Sequence, residues 1–320
     1  MIFHDNSELK HRIEELTGRR KLGQISIFED STSYMNIFGG SVLRLERNDY
    51  FVLGDATEGR FGIDDQPKFW VKNAVDLETG KRKVIKLVFH EEFTATLGIV
   101  RIRCRRSPAK ESAILSLTRD HPRFMDGKEI EDAKGNLIRI VDFIPGSSLF
   151  QYLGNLTLPH EEYYQTVLPS VMEQVIACAE ALAYLHEQGQ HHGDVRNDHI
   201  LIERDTGLFR WIDFDYHVNY ADYDLWSFGN VINHVAGKGT HTVHGVRREA
   251  KNYPSLSAPI QEEDTMLLFG NRIANLHKLF PYIDRRLNDI LMRFSSTSQN
   301  FYTDFGTLIR DLKDVFSTRP

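Results

Sequence analysis

Cysteine is scarce in this 320-residue chain: Cys104 and Cys178 are the whole complement. Two thiols cannot build a disulfide framework, nor by themselves a structural zinc site. The first residues, Met-Ile-Phe-His-Asp-Asn, hold no basic stretch followed by an apolar one, so no signal peptide is expected. A run of about 18 apolar residues is also lacking, and no membrane span is expected. The default expectation is a reducing cytoplasm. Positive charge is not in excess: 39 Lys and Arg against 45 Asp and Glu leave a net charge of −6. That balance disfavours a nucleic-acid partner. Arg101, Arg103, Arg105 and Arg106 form one local basic cluster, read as a solvated segment. There is no internal repeat and no low-complexity tract. What is present is core-forming, since 41% of residues are hydrophobic and 11% aromatic, so extensive disorder is excluded. At about 150 residues per domain, the length suggests two domains or one two-lobed domain.

The pattern changes along the chain. Residues 8–21 read as a short, highly charged helix outside the main core. From about 42 the sequence is β-rich. Two strand-like runs, FWVKNAVDL and KRKVIKLVF, flank the turn signal Glu78-Thr79-Gly80-Lys81, which predicts a hairpin. A helix is expected from about Pro108 to Thr118. A second β pair turns at Ala133-Lys134-Gly135-Asn136. Pro145-Gly146-Ser147-Ser148 marks a boundary, and beyond it the period is helical. Val171, Val175, Cys178, Leu182 and Leu185 line one helix face, with Gly189 placed to stop that helix. Two short strand-like pieces, HILIER and FRWIDFD, interrupt the helical part.

The strongest chemical signal is HHGDVRNDHILIERDTGLFRWIDFD, residues 191–215. Asp194 and Asp213 each stand at the end of a loop or strand. A carboxylate between Ile212 and Phe214 is held rigidly and partly desolvated, which suits a hard cation such as Mg²⁺. The other carboxylate can orient a substrate hydroxyl. Lys86 lies among Val84, Ile85, Leu87 and Val88, and a lysine in such a strand requires a partner; Glu111 is the candidate. A cation, a metal-binding carboxylate and a glycine turn are what phosphoryl transfer needs.

These residues, in this order, resemble the protein kinase superfamily over about residues 46–315. Thr57-Glu58-Gly59-Arg60-Phe61-Gly62 resembles the glycine-rich loop, with Thr57 in place of its first glycine. Val84-Ile85-Lys86 is similar to the nucleotide-lysine strand. Glu111 to Leu115 with His121-Pro122 resembles the C-helix and its following loop. Asp142-Phe143-Ile144 resembles the hinge, His192-Gly193-Asp194 the catalytic loop, and Asp213-Phe214-Asp215 the metal-binding motif. Asp224-Leu-Trp-Ser-Phe-Gly229 resembles the helix that anchors the catalytic loop. Seven motifs in order are far more specific than any one of them. The resemblance implies an α+β fold with an N-terminal extension (1–45), a small β-rich N-lobe (46–144) and a larger, mostly helical C-lobe (145–320). It implies ATP and Mg²⁺ or Mn²⁺ as cofactors. Lys86 would hold the α- and β-phosphates, Asp194 would orient the acceptor hydroxyl, Asp213 would bind metal, and Arg196 would neutralise developing charge. Gly59 and Gly62 would cover the phosphates. Val71, Val84 and Leu201 would sandwich the adenine, and the Asp142–Ile144 backbone would face its edge.

Three departures bear on function. His199 stands where the family keeps an Asn that binds a second metal; imidazole favours Mn²⁺ over Mg²⁺, so His199 is either a ligand of altered preference or no ligand. Gly193 replaces the Arg that reads an activation-loop phosphate, and Asp215 replaces a glycine, which should restrict the backbone there. Ten residues separate Asp213 from Asp224, and no Ala-Pro-Glu element follows. The expected function is an ATP-dependent phosphotransferase resembling an atypical serine/threonine protein kinase. The alternatives are a small-molecule kinase of the aminoglycoside and choline phosphotransferase type, and a silent pseudokinase acting as a nucleotide-dependent binding module. The acceptor, protein or small molecule, is open. His192 is expected to contact the Asp213 loop. His241 and His244 are read as part of a solvated loop.

Overall fold

A computed structural model describes residues 1–317 apart from 21, 61–62, 98–99, 221, 254–255 and 257. The chain divides into two units. The first comprises residues 1–91, 106–121 and 125–144; the second comprises 92–105, 122–124 and 145–320.

The first unit is built on a seven-stranded sheet. Its order is Ile27–Phe28, Val42–Leu45, Asn48–Arg60, Ile63–Asp76, Arg82–Lys86, Leu137–Asp142 and Gly127–Glu131. The first pair is parallel and the rest antiparallel. Both hairpins expected from turn chemistry form. At the first, the Asp76 carboxylate accepts from the Glu78 and Thr79 N–H groups, and Gly80 takes φ +71°. At the second, Asp132 accepts from Lys134 and Asn136, with Gly135 at φ +76°. Burial works against the Asp132 charge, but hydrogen bonds from Ser31 and Asn136 prevail and hold its carboxyl down to about 2.

Alternation splits the strand residues between the two faces. Leu43, Leu45, Tyr50, Val52, Ala74, Ile85, Ile138 and Ile140 build one apolar cluster. Val42 and Phe51 point the other way, and there they meet Leu9 and Ile13 of the helix Asn6–Thr17. That helix was expected outside the main core. Its charged residues hid the apolar pair Leu9 and Ile13, spaced four apart on one face, which is 1% and 0% exposed.

In the second unit the long helix Leu168–Glu187 buries Val171, Val175, Cys178, Leu182 and Leu185, the face its periodicity marked, and Gly189 follows at φ +69°. By length and composition this helix could cross a membrane; ten of its residues are buried within the unit. Both cysteines are free and buried, and burial pushes the Cys178 thiol up to about 12. The helices Leu149–Asn155, Tyr223–Ala236, Arg285–Met292 and Phe305–Ser317 belong to the same unit, as does a small sheet of Gly146–Ser148, Ile200–Glu203 and Phe209–Trp211.

A third sheet bears out the solvated reading of the arginine cluster for three of its members and corrects it for Arg106. Glu92–Leu97 and Val100–Arg106 form a hairpin, and the strand Tyr216–Val218 pairs with the second of these. Alternation again explains it. Ile102 and Cys104 pack with Tyr216, while Arg101, Arg103 and Arg105 face solvent. Arg106 is buried, with its guanidinium 5.4 Å from the Trp70 ring and 3.4 Å from Glu91.

Candidate functional site

In the first unit, Lys86 ends the Arg82–Lys86 strand and is 5% exposed. Glu111 lies in the first turn of the helix Pro108–Leu117, which starts where Ser107 accepts the Lys110 N–H and Pro108 fixes the first position. Lys86 Nζ donates to Glu111 Oε1, as the sequence suggested. A third member was missed. Arg139 Nε donates to Glu111 Oε2 at 3.1 Å, and Arg139 is 1% exposed. The signal was present in the sequence as a lone cation in LIRIVD, the same anomaly that marked Lys86. Register completes the picture: Val71 pairs with Lys86, Lys86 with Arg139, and Val84 with Val141. Directly opposed residues share a face, so Val71, Val84, Lys86 and Arg139 lie on one side of the sheet.

The hinge segment is partly committed. Asp142 N–H donates to Asp126 at 2.8 Å and Phe143 N–H to Arg82 at 3.4 Å, so two N–H groups of the segment whose backbone was expected to face a base are already used. The Asp142 side chain pairs with Lys83. Arg82 lies over the Phe143 ring at 3.7 Å. Ile144 is 8% exposed. Gly59 lies within the strand Asn48–Arg60, and Gly62 lies outside the described residues.

In the second unit the loop 192–199 is organised by Asp224. This carboxylate, at the start of the helix Tyr223–Ala236, accepts the His192 N–H at 2.6 Å and the Gly193 N–H at 2.8 Å. Gly193 has φ +82°, which a residue with a Cβ adopts only at a cost. The His192 ring is fully buried, 4.8 Å from Trp211 and 5.9 Å from Phe214, which joins it to the Asp213 segment.

The next turn brings four functional candidates together. His199 Nδ1 is 2.9 Å from the Asp194 carbonyl, which only accepts, and Nε2 is 2.7 Å from Arg196 Nη2, which only donates. These partners assign a neutral imidazole with the proton on Nδ1 and the lone pair on Nε2. Nε2 lies 3.8 Å from Asp213 Oδ2, and Nδ1 lies 3.5 Å from Asp194 Oδ2. Arg196 also bonds Asp198 at 2.9 Å and lies 3.7 Å from Asp194. Both carboxylates are 17% exposed. Burial raises the Asp194 carboxyl above its ordinary value, against the opposing charge of Arg196. Asp213 is fixed by its backbone: Ile212 N–H donates to the His199 carbonyl at 3.0 Å, and Asp213 itself takes φ +59°. Asp215 is not among the residues with positive φ, so the restriction expected there falls on Asp213 instead. Leu201, in the strand Ile200–Glu203, is opposed to Ser148 and Arg210.

His241 is not in a solvated loop. Its nitrogens contact the Tyr253 hydroxyl at 2.9 Å and the Gly237 carbonyl at 2.8 Å.

Comparison with known proteins gives one consistent result. No family model matches the chain. Sperm motility kinase Tcr mutant form of Mus musculus is 28% identical over 133 residues, 41% of this chain and 26% of that protein. MAP kinase kinase kinase win1 of Schizosaccharomyces pombe is 31% identical over 147 residues, 45% of this chain and 9% of the relative. Serine/threonine-protein kinase cds1 of the same yeast is 23% identical over 185 residues, 58% of this chain and 34% of the relative.

This chain is protein-kinase-like. Its fold is α+β, with a small β-rich lobe and a larger, mostly helical one. The chain spans about a third or less of the length of these kinases. The donors present also fit a divalent cation: two carboxylates supply hard oxygens, and one imidazole supplies a nitrogen.

Proposed function

We propose that this kinase-like chain transfers the γ-phosphate of ATP to a hydroxyl, as an atypical serine/threonine kinase. The observation that carries this reading is the Asp194–His199–Asp213 cluster, two partly buried carboxylates within 3.5 and 3.8 Å of one imidazole. Carboxylates in unlike settings can divide the roles of base and metal ligand. Asp213 holds the divalent cation, Mg²⁺ or Mn²⁺, which offsets phosphate charge. Asp194 accepts the proton of the acceptor hydroxyl. The hydroxyl oxygen bonds the γ-phosphorus, the bond from that phosphorus to the bridging oxygen breaks, and ADP leaves with the electron pair. A carboxyl raised by burial is better matched to this task than an exposed one. Lys86, oriented by Glu111, donates to phosphate oxygens, and Arg196 offsets charge developing during transfer. Val71, Val84 and Leu201 supply apolar contacts to the adenine, and Ile144 the backbone group for its edge. Gly59, in the strand Asn48–Arg60, and Gly62 cover the phosphates in this reading. A cytoplasmic location belongs to the same reading.

A small-molecule acceptor is the second reading, favoured by the segment after Asp215. Tyr216–Val218 is tied into a sheet, and Tyr223 already begins the next helix, so little chain is left to dock a peptide. The test is transfer from γ-labelled ATP, with Mg²⁺ and Mn²⁺ compared, to the protein and small-molecule fractions of a cell extract. Label in either fraction, lost in Asp194→Asn, supports the enzyme and identifies the acceptor class. Nucleotide binding with no transfer under any condition rejects catalysis in favour of a silent binding module.

A further inference from the structure

Apart from the Asp194–Asp213 cluster, one other group of metal-binding side chains converges among the described residues. His186 lies in the last turn of the helix Leu168–Glu187, His191 follows in the loop, and Asp224 lies in the first turn of the helix Tyr223–Ala236. His186 Nε2 is 3.0 Å from Asp224 Oδ2 and 3.3 Å from His191 Nδ1. One ligand atom from each residue lies within 4.8 Å of the other two.

Hydrogen bonding accounts for the His186–Asp224 contact but serves the His186–His191 contact poorly. The Nε2 position of His186 carries one proton or one lone pair. A proton there, aimed at Asp224, can reach His191 Nδ1 only as a divided bond. Without that proton, a lone pair faces the carboxylate. A cation at the convergence accepts a lone pair from all three atoms. Tetrahedral Zn²⁺ with bonds of about 2.0–2.1 Å sets its ligand atoms roughly 3.3 Å apart, close to both observed separations. Two of the three ligands are also oriented by a second contact. The Phe305 ring stands edge-on to His186 at 5.1 Å, and the Asp224 carboxylate is held by the His192 and Gly193 N–H groups. Asp224 is 2% exposed, whereas His191 is exposed, so solvent water can supply the fourth ligand.

We propose that His186, His191 and Asp224 form a binding site for a transition-metal dication, Zn²⁺ foremost. Two imidazoles and a carboxylate select such an ion over Mg²⁺. The bound ion clips together the end of one helix, the start of another and the loop that leads to Asp194. It is separate from the cation on Asp213, and the proposal does not depend on phosphoryl transfer.

The test is a calorimetric titration of the full chain, stripped with EDTA, with Zn²⁺ in excess Mg²⁺. One tight equivalent is expected. His191→Ala, a change at an exposed position, should weaken Zn²⁺ binding at least about tenfold. Co²⁺ in place of Zn²⁺ should give the intense visible absorption of a tetrahedral site, and His191→Ala should abolish it. His199→Asn should keep both signals. Zn²⁺ affinity unchanged in His191→Ala, or lost in His199→Asn instead, overturns the proposal.

Discussion

Lys86 and Arg139 are direct partners across the ladder between Arg82–Lys86 and Leu137–Asp142, and the single carboxylate of Glu111 bonds both. Two like charges opposed on a buried face repel, so Glu111 holds more than a pair together. Glu111→Gln removes the one negative charge that both buried cations share and should cost about 3–5 kcal/mol. Lys86→Met leaves the Glu111–Arg139 pair intact and should cost less, while weakening ATP binding. Urea denaturation of both variants checks the order. Equal stability of the two would show that Arg139 does not share the carboxylate.

Asp194 should set activity against stability. Its carboxyl is raised by burial, so the charged form is disfavoured in the fold. Such a group contributes stability below its unfolded value, and that contribution is lost as pH rises through the raised folded value. At neutral pH the charge therefore destabilises the fold. Asp194→Asn should melt higher than the parent at pH 7, with the gap shrinking toward acid, and turnover should fall about a hundredfold or more. Melting curves across pH decide the first part; a variant less stable at pH 7 contradicts it.

His199 offers its Nε2 lone pair to Arg196 while lying 3.8 Å from Asp213. A cation on Asp213 competes with Arg196 for that lone pair, and imidazole favours Mn²⁺. Turnover should be higher with Mn²⁺, and His199→Asn should shift the preference toward Mg²⁺. A rate ratio between the two metals that is the same in parent and variant assigns His199 a purely structural role.

Phosphorylation between Asp213 and Asp224 should not control activity. The hydroxyls there are those of Tyr216, Tyr220 and Tyr223. Tyr216 is 4% exposed, and burial raises the Tyr223 hydroxyl. Tyr220, at 37%, is the accessible one. Tyr220→Phe should retain parent activity, and phosphatase treatment should leave the rate unchanged. Loss of activity in both would overturn this.

Gly193 should be required for its backbone. Gly193→Ala places a Cβ at φ +82° and should cost about 1–2 kcal/mol in urea denaturation, with no change in charge. A neutral result would mean that the loop relaxes.

Local chemistry was enough to read much of this protein from its sequence. Turn residues mark both hairpins of the first unit, because Asp and Gly stabilise those turns without help from distant chain. A 3.6-residue period marks the buried face of Leu168–Glu187, and a lone lysine in an apolar strand requires an anion, which Glu111 supplies. Other features are fixed by contacts distant in sequence, and only the tertiary structure decided them. Arg139 joins Lys86 because strand register sets cross-strand neighbours, and register is not a local property. The basic run 100–106 became a strand because Tyr216–Val218, over a hundred residues later, pairs with it and gives Ile102 and Cys104 something to pack on. Leu9 and Ile13 join a core because Val42, Phe51 and Leu77 present the apolar surface that covers them. The state of His199 was likewise undetermined until a carbonyl on one side and a guanidinium on the other fixed where its proton sits.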